Sequence, residues 1–238
     1  MGVVQTFQSL FDTARISVPT VIESAFGPID PIVAEQRLSW WSKHVLEGAK
    51  VDLTVEGREH GGDGSEPLIV MSNHQSLFDI PVLFQAIPGK LRMVAKAELF
   101  RVPVWGQAML AAGFIRIDRD DHKQAVASLR EGGGSLLASG IRVWIAPEGT
   151  RSRTGEVGQF KSGGFRMALE NRVRILPVAI EGTRNVLPAK GFVVQNSKKV
   201  VVRILPPFDP MDYGVERRRE LINKVRASIA TALGQTPS

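Results

Sequence analysis

A histidine and an aspartate five positions apart carry the clearest chemical signal in this sequence. They are His74 and Asp79, within the stretch Ser-Asn-His-Gln-Ser-Leu-Phe-Asp that covers positions 72–79. A carboxylate beside an imidazole holds the ring in one tautomer and stabilises the imidazolium that forms when the ring accepts a proton. The pair is therefore half of a set that activates a nucleophile.

No familiar protein nucleophile accompanies this pair. The chain has no cysteine, and no Gly-x-Ser-x-Gly elbow occurs in it. We therefore infer that the histidine activates a hydroxyl brought in by a substrate. Two alternatives stay open: Ser72 or Ser76 is the nucleophile of a hydrolase or transacylase, or His74 is a hydrogen-bonded structural residue at the end of a strand.

Two arginine-bearing stretches further along the chain could hold an anion. Positions 113–119 indicate a strand that ends in an Asp-Arg pair, and positions 147–153 indicate a turn after a buried strand. A guanidinium donates two parallel hydrogen bonds to a phosphate, which makes arginine its natural ligand. Arg119, Arg151 and Arg153 could hold a phosphate monoester while the histidine takes a proton from a neighbouring hydroxyl. The alternative for each arginine is a solvated surface charge.

Alternating strand and helix patterns surround these motifs. The apolar run 68–71 predicts a buried strand that delivers His74, and the next segment predicts a helix from Asp79, with Pro81 in its first turn. Further strands are predicted near 51–55, 91–95, 114–117, 142–146, 175–180 and 199–205. Further helices are predicted near 104–111, 121–137, 163–171 and 215–233, and three glycines at 132–134 loosen the second of these. The order predicts an α/β domain with a central mixed, largely parallel sheet flanked by helices. In such sheets the carboxyl ends of the strands carry the chemistry.

Residues 1–47 depart from this alternation. Apolar residues recur at helical spacing through two stretches, and the second stretch carries Trp40 and Trp41. The pattern predicts a pair of amphipathic helices. One interpretation is a membrane-surface segment with aromatic side chains at headgroup depth, ahead of a catalytic domain over 48–238. The other is that the apolar stripe packs on the rest of the domain or on a partner chain.

Composition narrows the range of partners. A formal net charge of +6 and a pI near 9.9 favour an anionic partner. Only 7% of residues are aromatic and no nucleic-acid-binding motif occurs, so we expect no nucleic acid among the partners. No apolar run reaches the ~20 residues of a transmembrane helix, and no signal-peptide pattern is present. The four histidines show no metal-ligand spacing, so we expect neither a metal nor a cofactor.

Four motifs in succession resemble those of the glycerolipid acyltransferases. They are His-x-x-x-x-Asp at 74–79, Gly-x-Ile-x-Ile-Asp-Arg at 113–119, Pro-Glu-Gly-Thr-Arg-Ser at 147–152 and Leu-Pro-Val-Ala-Ile at 176–180. Each motif is modest alone, but the set in this order is highly specific, and it covers about residues 67–185. The resemblance is closest to the bacterial 1-acyl-sn-glycerol-3-phosphate acyltransferases.

The resemblance implies roles for particular residues. His74 would be the general base on the acceptor hydroxyl, and Asp79 would orient it. The region around the acceptor phosphate would comprise Arg119, Glu148, Gly149, Thr150 and Arg151. Pro177 would shape the acyl side of the cleft. A second Glu-Gly-Thr-Arg at 181–184 is interpreted as a loop, in which Arg184 is a weaker candidate for substrate contact.

The resemblance also implies a reaction and its partners. A fatty acyl group would pass from acyl-CoA or acyl carrier protein to the free hydroxyl of 1-acyl-sn-glycerol 3-phosphate (lysophosphatidic acid), giving phosphatidic acid without an acyl-enzyme. The N-terminal helices would rest on an anionic membrane surface, at the cytoplasmic face of the cell membrane. The residues leave open another acceptor, such as glycerol 3-phosphate, another lysophospholipid or a lyso-ornithine lipid. They also leave open a non-catalytic lipid-surface binding protein.

Overall fold

A mixed sheet with helices on both faces forms the body of the protein. The computed structural model describes residues 2–118 and 121–236. The strands are β1 (Asp52–Glu56), β2 (Ile69–Ser72), β3 (Leu91–Lys96), β4 (Ile115–Ile117), β5 (Arg142–Ile145), β6 (Ile175–Glu181) and β7 (Lys199–Ile204). The helices are α1 (Gly2–Ser24), α2 (Pro31–Gly48), α3 (Asp79–Ala86), α4 (Trp105–Ala111), α5 (His122–Ser128), α6 (Gly134–Ala138), α7 (Gly163–Asn171), α8 (Thr183–Val186) and α9 (Arg218–Ala232).

The strands lie in the order β1-β7-β6-β2-β5-β3-β4. Every neighbouring pair is parallel except β6 and β7, which confirms the mixed, largely parallel sheet. All residues of β2 and β5 are buried, as expected for central strands covered on both faces. Because β2, β5 and β3 are mutually parallel neighbours, their carboxyl ends meet at one edge of the sheet.

Apolar side chains from the two faces of the sheet form two core layers. On one face, Leu38, Val45 and Leu46 of α2 pack with the apolar side of α3. On the other, α7 and α9 cover the sheet, and the fully buried Leu221 and Val225 of α9 follow the four-residue spacing of a helix stripe. Both layers enclose the central strands, so the elements that carry the predicted motifs have little freedom to move.

The N-terminal helices are joined to this body. Asp30 caps α2 by accepting a hydrogen bond from the Ile32 N–H. Arg92 of β3, only 2% exposed, forms a 2.8 Å ion pair with Glu35 of α2. Helix α1 packs on α2 and α4 with one side and leaves the other exposed. None of the described helices has the length and apolarity needed to cross a bilayer.

The helix predicted over 121–137 is interrupted in the structure. Helix α5 ends at Ser128, a π-helical turn follows over Leu129–Gly133, and α6 then begins. A Cβ at Gly133 would lie 2.2 Å from the sulfur of Met167, so this turn approaches α7 too closely for a larger residue. The glycines at 132–134, which predict a loosened helix, thus coincide with the π-helical turn and the break between α5 and α6.

Candidate active site

His74 lies two residues beyond β2, at the edge where the central strands end. Its Nδ1 is 2.7 Å from Oδ2 of Asp79, the first residue of α3. The imidazole stands edge-to-face on the Trp144 ring, with centroids 5.7 Å apart, and the indole N–H donates to the Ser72 hydroxyl at 3.0 Å. The ring of His74 is therefore held from two sides.

The Asp79 carboxylate is fully buried and is saturated with donors. Its Oδ2 accepts from the N–H groups of Gln75 (2.8 Å) and Ser76 (3.0 Å) as well as from the histidine, and its Oδ1 accepts from the Thr183 hydroxyl. The first turn of a helix also favours a negative charge. Because Oδ2 serves as an acceptor to all its partners, Nδ1 of His74 carries the proton. The lone pair on Nε2 is then the basic site of the ring.

Thr183 is a residue of the site that sequence reasoning missed. It belongs to the second Glu-Gly-Thr-Arg stretch, and its side chain is buried at the start of α8. The neighbouring Arg184 donates to the backbone carbonyls of Arg153 and Thr154. Its guanidinium therefore stabilises the turn after β5. That repeated tetrapeptide was the only signal in the sequence that could have drawn attention to Thr183.

Glu148 connects the histidine turn to the turn after β5. It is 9% exposed, and its two oxygens accept from the N–H groups of His74 (2.9 Å) and Gly158 (3.0 Å). Burial raises the pKa of the Glu148 carboxyl, and the two hydrogen bonds oppose that rise. A second link joins the two turns, since the Ser152 N–H donates to the His74 carbonyl at 2.6 Å. Glu148 is placed to position the backbone of His74.

The serines beside the histidine are poorly placed for nucleophilic attack. Ser72 is fully buried and accepts from the Trp144 indole. Ser76 is also fully buried, donates to the Leu187 carbonyl and accepts from the Phe78 N–H. These bonds count against a serine nucleophile and favour a base that acts on a substrate hydroxyl. The N–H groups of His74, Gln75 and Ser76 are engaged by carboxylates, so they do not serve a substrate oxyanion.

An open cleft of about 360 Å³ brings several predicted residues together. His74, Gly149, Thr150 and Arg151 all line it. Asp79 and Glu148 do not line the cleft themselves. Asp79 is bonded to the imidazole of His74, and Glu148 accepts from the His74 backbone N–H. The imidazole of His74 and the turn that carries the Arg151 guanidinium thus line the same cleft.

Pro177, by contrast, is not among the residues that line this cleft. Pro177 is buried in β6, where it lies opposite Met71 of β2. Arg119 lies outside the described residues, which resume at Asp121. The roles assigned to both therefore stay predictions.

Positive charge surrounds the Gly149 turn. Arg151 forms no ion pair with a carboxylate of the described ranges 2–118 and 121–236. Gly149 has a φ of +73°, which favours glycine, and a Cβ there would lie 3.0 Å from the Lys161 ammonium. Sequence reasoning assigned no role to Lys161. An anion at this turn would meet cations from two separate segments.

Two apolar recesses adjoin the cleft. One, of about 390 Å³, shares Val94, Ala146 and Gly149 with it and extends under α5. The other is a narrow cavity beneath α1 and α2, and it shares Ile80 and Met93 with the cleft. Apolar chains could therefore reach the reacting histidine from either face of the sheet. No cluster of three or more potential metal-ligating side chains occurs among the described residues.

Comparison with known sequences places these motifs in a family. Residues 52–181, more than half of the chain, match the family model described as Acyltransferase. The 1-acyl-sn-glycerol-3-phosphate acyltransferase alpha of Mus musculus is 32% identical over 186 residues, which are 78% of this chain and 64% of that protein. The 1-acyl-sn-glycerol-3-phosphate acyltransferase of Saccharomyces cerevisiae is 30% identical over 210 residues, 85% of this chain and 68% of that protein. The chain thus spans somewhat less than two thirds of the mouse relative.

A solved structure has the same fold. The crystal structure of the 1-acyl-sn-glycerophosphate (LPA) acyltransferase PlsC from Thermotoga maritima matches with a TM-score of 0.81 and 25% identity. The match covers 98% of this chain and 95% of that chain, and therefore includes the N-terminal helices as well as the sheet.

Proposed function

The chain belongs to the acyltransferase family, and from this premise we propose that it acylates the free hydroxyl of 1-acyl-sn-glycerol 3-phosphate, which yields phosphatidic acid. The observation that carries the proposal is His74, which is bonded to Asp79 and lines one cleft together with Arg151. The relatives are named for acylation of the same acceptor, which supports the proposal. The donor is a fatty acyl thioester, on coenzyme A or acyl carrier protein.

The reaction follows from the tautomer of His74. Nε2 takes the proton of the acceptor hydroxyl as its oxygen bonds to the thioester carbonyl carbon. The tetrahedral intermediate then collapses, the carbon–sulfur bond breaks, and the departing thiolate takes the proton back from the imidazolium. Asp79 stabilises the imidazolium between these two steps. No acyl-enzyme forms, since the nearby Ser72 and Ser76 are buried and hydrogen-bonded.

The acceptor phosphate lies against the turn after β5. Arg151 supplies a charge-assisted hydrogen bond, and Gly149 and Thr150 bring backbone close to the ligand. Lys161 adds a second positive charge beside Gly149. The apolar recesses that adjoin the cleft receive the acyl chains. Arg119 remains an expected member of this phosphate region.

A direct assay tests the proposal. The purified chain is incubated with oleoyl-coenzyme A or oleoyl-acyl carrier protein and 1-oleoyl-lysophosphatidic acid, and phosphatidic acid is measured by mass spectrometry. We expect phosphatidic acid with at least one donor. Product only from glycerol 3-phosphate, another lysophospholipid or a lyso-ornithine lipid would overturn the acceptor but keep the acyl transfer. Lipid binding without turnover of any of these acceptors would favour the non-catalytic alternative.

Removing the cleft arginine should weaken recognition of the phosphate. In Arg151→Gln we expect the KM for lysophosphatidic acid to rise by roughly tenfold to hundredfold, because a charged hydrogen bond is lost. Acylation of monoacylglycerol, which lacks the phosphate, should change little. The matched control is Arg153→Gln, whose exposed side chain is not among those that line the cleft. An equal loss with both acceptors would contradict a phosphate-binding role for Arg151.

We propose that α1 rests on an anionic membrane. Its outward stripe consists of apolar side chains between 44% and 68% exposed: Val3, Val4, Phe7, Leu10, Phe11, Val18 and Ile22. Such a stripe on one side of a helix is typical of an interfacial helix. The protein would then be peripheral, and its thioester donors place it at the cytoplasmic face.

Substitutions in this stripe test the contact better than a deletion. Removing residues 1–47 would also remove Leu38 and Glu35, which hold α2 to the body. In Phe7→Ser/Phe11→Ser we expect binding to phosphatidylglycerol vesicles to fall by more than about tenfold, since a buried phenylalanine contributes roughly 1.5–3 kcal/mol. The melting temperature should stay unchanged. Undiminished co-sedimentation with vesicles would argue that α1 does not face the membrane.

A further inference from the structure

A short loop after β6 carries one of the most exposed aromatic side chains of the protein. We call residues 186–195 the Phe192 loop. The Gln195 N–H donates to the Val186 carbonyl at 2.7 Å, which closes the loop at its base. Val186 and Val194 are buried in the core, whereas Phe192 at the tip is 88% exposed. The loop is therefore closed at its base and leaves the Phe192 side chain exposed to solvent.

The base of the loop is attached to two elements that the proposed function uses. The Val194 N–H donates to the Thr6 hydroxyl of α1 at 3.0 Å. The Ser76 hydroxyl, two residues from the catalytic histidine, donates to the Leu187 carbonyl at 2.7 Å. The loop is therefore a direct physical link between the start of α1 and the turn that carries the base.

The tip of the loop continues the apolar surface of α1. Backbone and side-chain atoms of Val193 and Val194 lie so close to Gly2 that a Cβ there would come within 2.5 Å of a carbonyl oxygen. The exposed Val3 and Val4 follow directly on the helix. Together with Phe192 they extend the stripe beyond the end of α1 into a broader patch. Contiguous apolar patches on a protein surface mark sites of association with a membrane or another protein.

The charge of the loop favours an anionic surface as the occupant. Lys190 lies in the loop, and Lys198 and Lys199 follow it at the start of β7, where Lys199 pairs with Asp52 of β1. No aspartate or glutamate occurs in positions 182–208. Lysines near the plane of an anionic membrane attract it electrostatically. An exposed aromatic side chain on a loop without acidic residues, close to a long apolar helix stripe, suits a lipid headgroup layer.

We propose that the Phe192 loop is a second membrane-contact element, in which Phe192 enters the headgroup region of an anionic bilayer and the three lysines meet lipid phosphates. The inference rests on the proposed contact of α1 with the same surface. Contact through both a helix and a loop fixes the tilt of the protein on the membrane. Through the Ser76–Leu187 bond it also fixes the height of His74 above the lipid.

Single cysteines provide the test, since the chain contains none. Phe192→Cys, Phe7→Cys and Val215→Cys are each labelled with a polarity-sensitive fluorophore and mixed with vesicles of phosphatidylcholine and phosphatidylglycerol in equal parts. Val215 is the matched control, because it is 63% exposed and lies just ahead of α9. We expect a blue shift of emission at positions 192 and 7 and no shift at position 215.

The outcomes separate this inference from the proposals on which it rests. A shift at position 7 without one at position 192 would overturn the role of the loop and leave the α1 contact standing. Absence of both shifts would overturn the membrane contact as a whole, and acyl transfer to detergent-dispersed substrate would still be measured separately. A shift at position 192 that needs no vesicles and grows with protein concentration would identify a second copy of the chain as the occupant, against the proposal.

The lysines are tested by charge removal. In the triple variant Lys190→Gln/Lys198→Gln/Lys199→Gln we expect binding to the mixed vesicles to fall by about a hundredfold, because each lysine near an anionic surface contributes about fivefold. Activity on detergent-dispersed substrate should be unchanged. Equal binding of the variant and the unaltered protein would contradict the lysine contacts.

Discussion

In His74→Ala, kcat for phosphatidic acid formation is expected to fall by roughly 10²–10⁴-fold, the usual contribution of a positioned general base. The reason is structural: with Nδ1 donating to Asp79, Nε2 is the basic atom that faces the cleft. Thioester consumption and phosphatidic acid should fall together, because the same proton transfer starts both.

Two controls accompany this variant. The histidine side chain is 14% exposed and makes one hydrogen bond, so the melting temperature should change by only a few degrees. His60→Ala removes a more exposed histidine that is not among the residues lining the cleft, and it should retain full activity. Product formed at the same rate by His74→Ala and the unaltered protein would refute the assignment of the base.

Asp79→Asn and Asp79→Ala are expected to differ sharply from each other. In the asparagine variant the amide oxygen can still accept from Gln75 and Ser76, and the amide nitrogen can face the Thr183 hydroxyl, which turns to accept. The fold and the tautomer of His74 are then kept, and only the negative charge is lost. In the alanine variant the buried N–H groups lose their acceptor, which costs about 1–3 kcal/mol each.

The two variants are compared by thermal unfolding and by kcat/KM. We expect Asp79→Asn to melt near the unaltered protein and to be about a hundredfold or more slower, since nothing stabilises the imidazolium. Asp79→Ala should be inactive and markedly less stable. Equal stability of the two variants would contradict the network described around Oδ2.

The arrangement of the sheet was largely accessible from the sequence, because apolar periodicity is local. Strands of three to seven residues and their alternation with helices follow from it, and the mixed, largely parallel sheet is confirmed. Three consecutive glycines predicted that the helix over 121–137 is loosened, but not the π-helical turn that divides it. That turn packs against Met167, which lies more than thirty residues further along the chain.

The contacts of the candidate site also fall into those that the sequence predicted and those that it did not. The pairing of His74 with Asp79 was predicted from their spacing, and one turn of chain brings the two side chains together. The bond from Thr183 to Asp79 joins positions 104 apart, and that from His74 to Glu148 joins positions 74 apart. No local sequence pattern predicts such contacts, since they form only when β2, β5 and β6 lie side by side.

The carboxylate of Glu148 has a consequence for regiochemistry. It is bonded to the backbone of His74, and it directly precedes the turn that carries Gly149 and Arg151. Two hydrogen bonds thus fix the distance between His74 and the turn that carries Gly149 and Arg151. The second of them is the Ser152–His74 bond. A substrate that places its phosphate at Arg151 can offer only the hydroxyl that reaches across this span. Under the proposed function, this distance would determine which carbon of the glycerol is acylated.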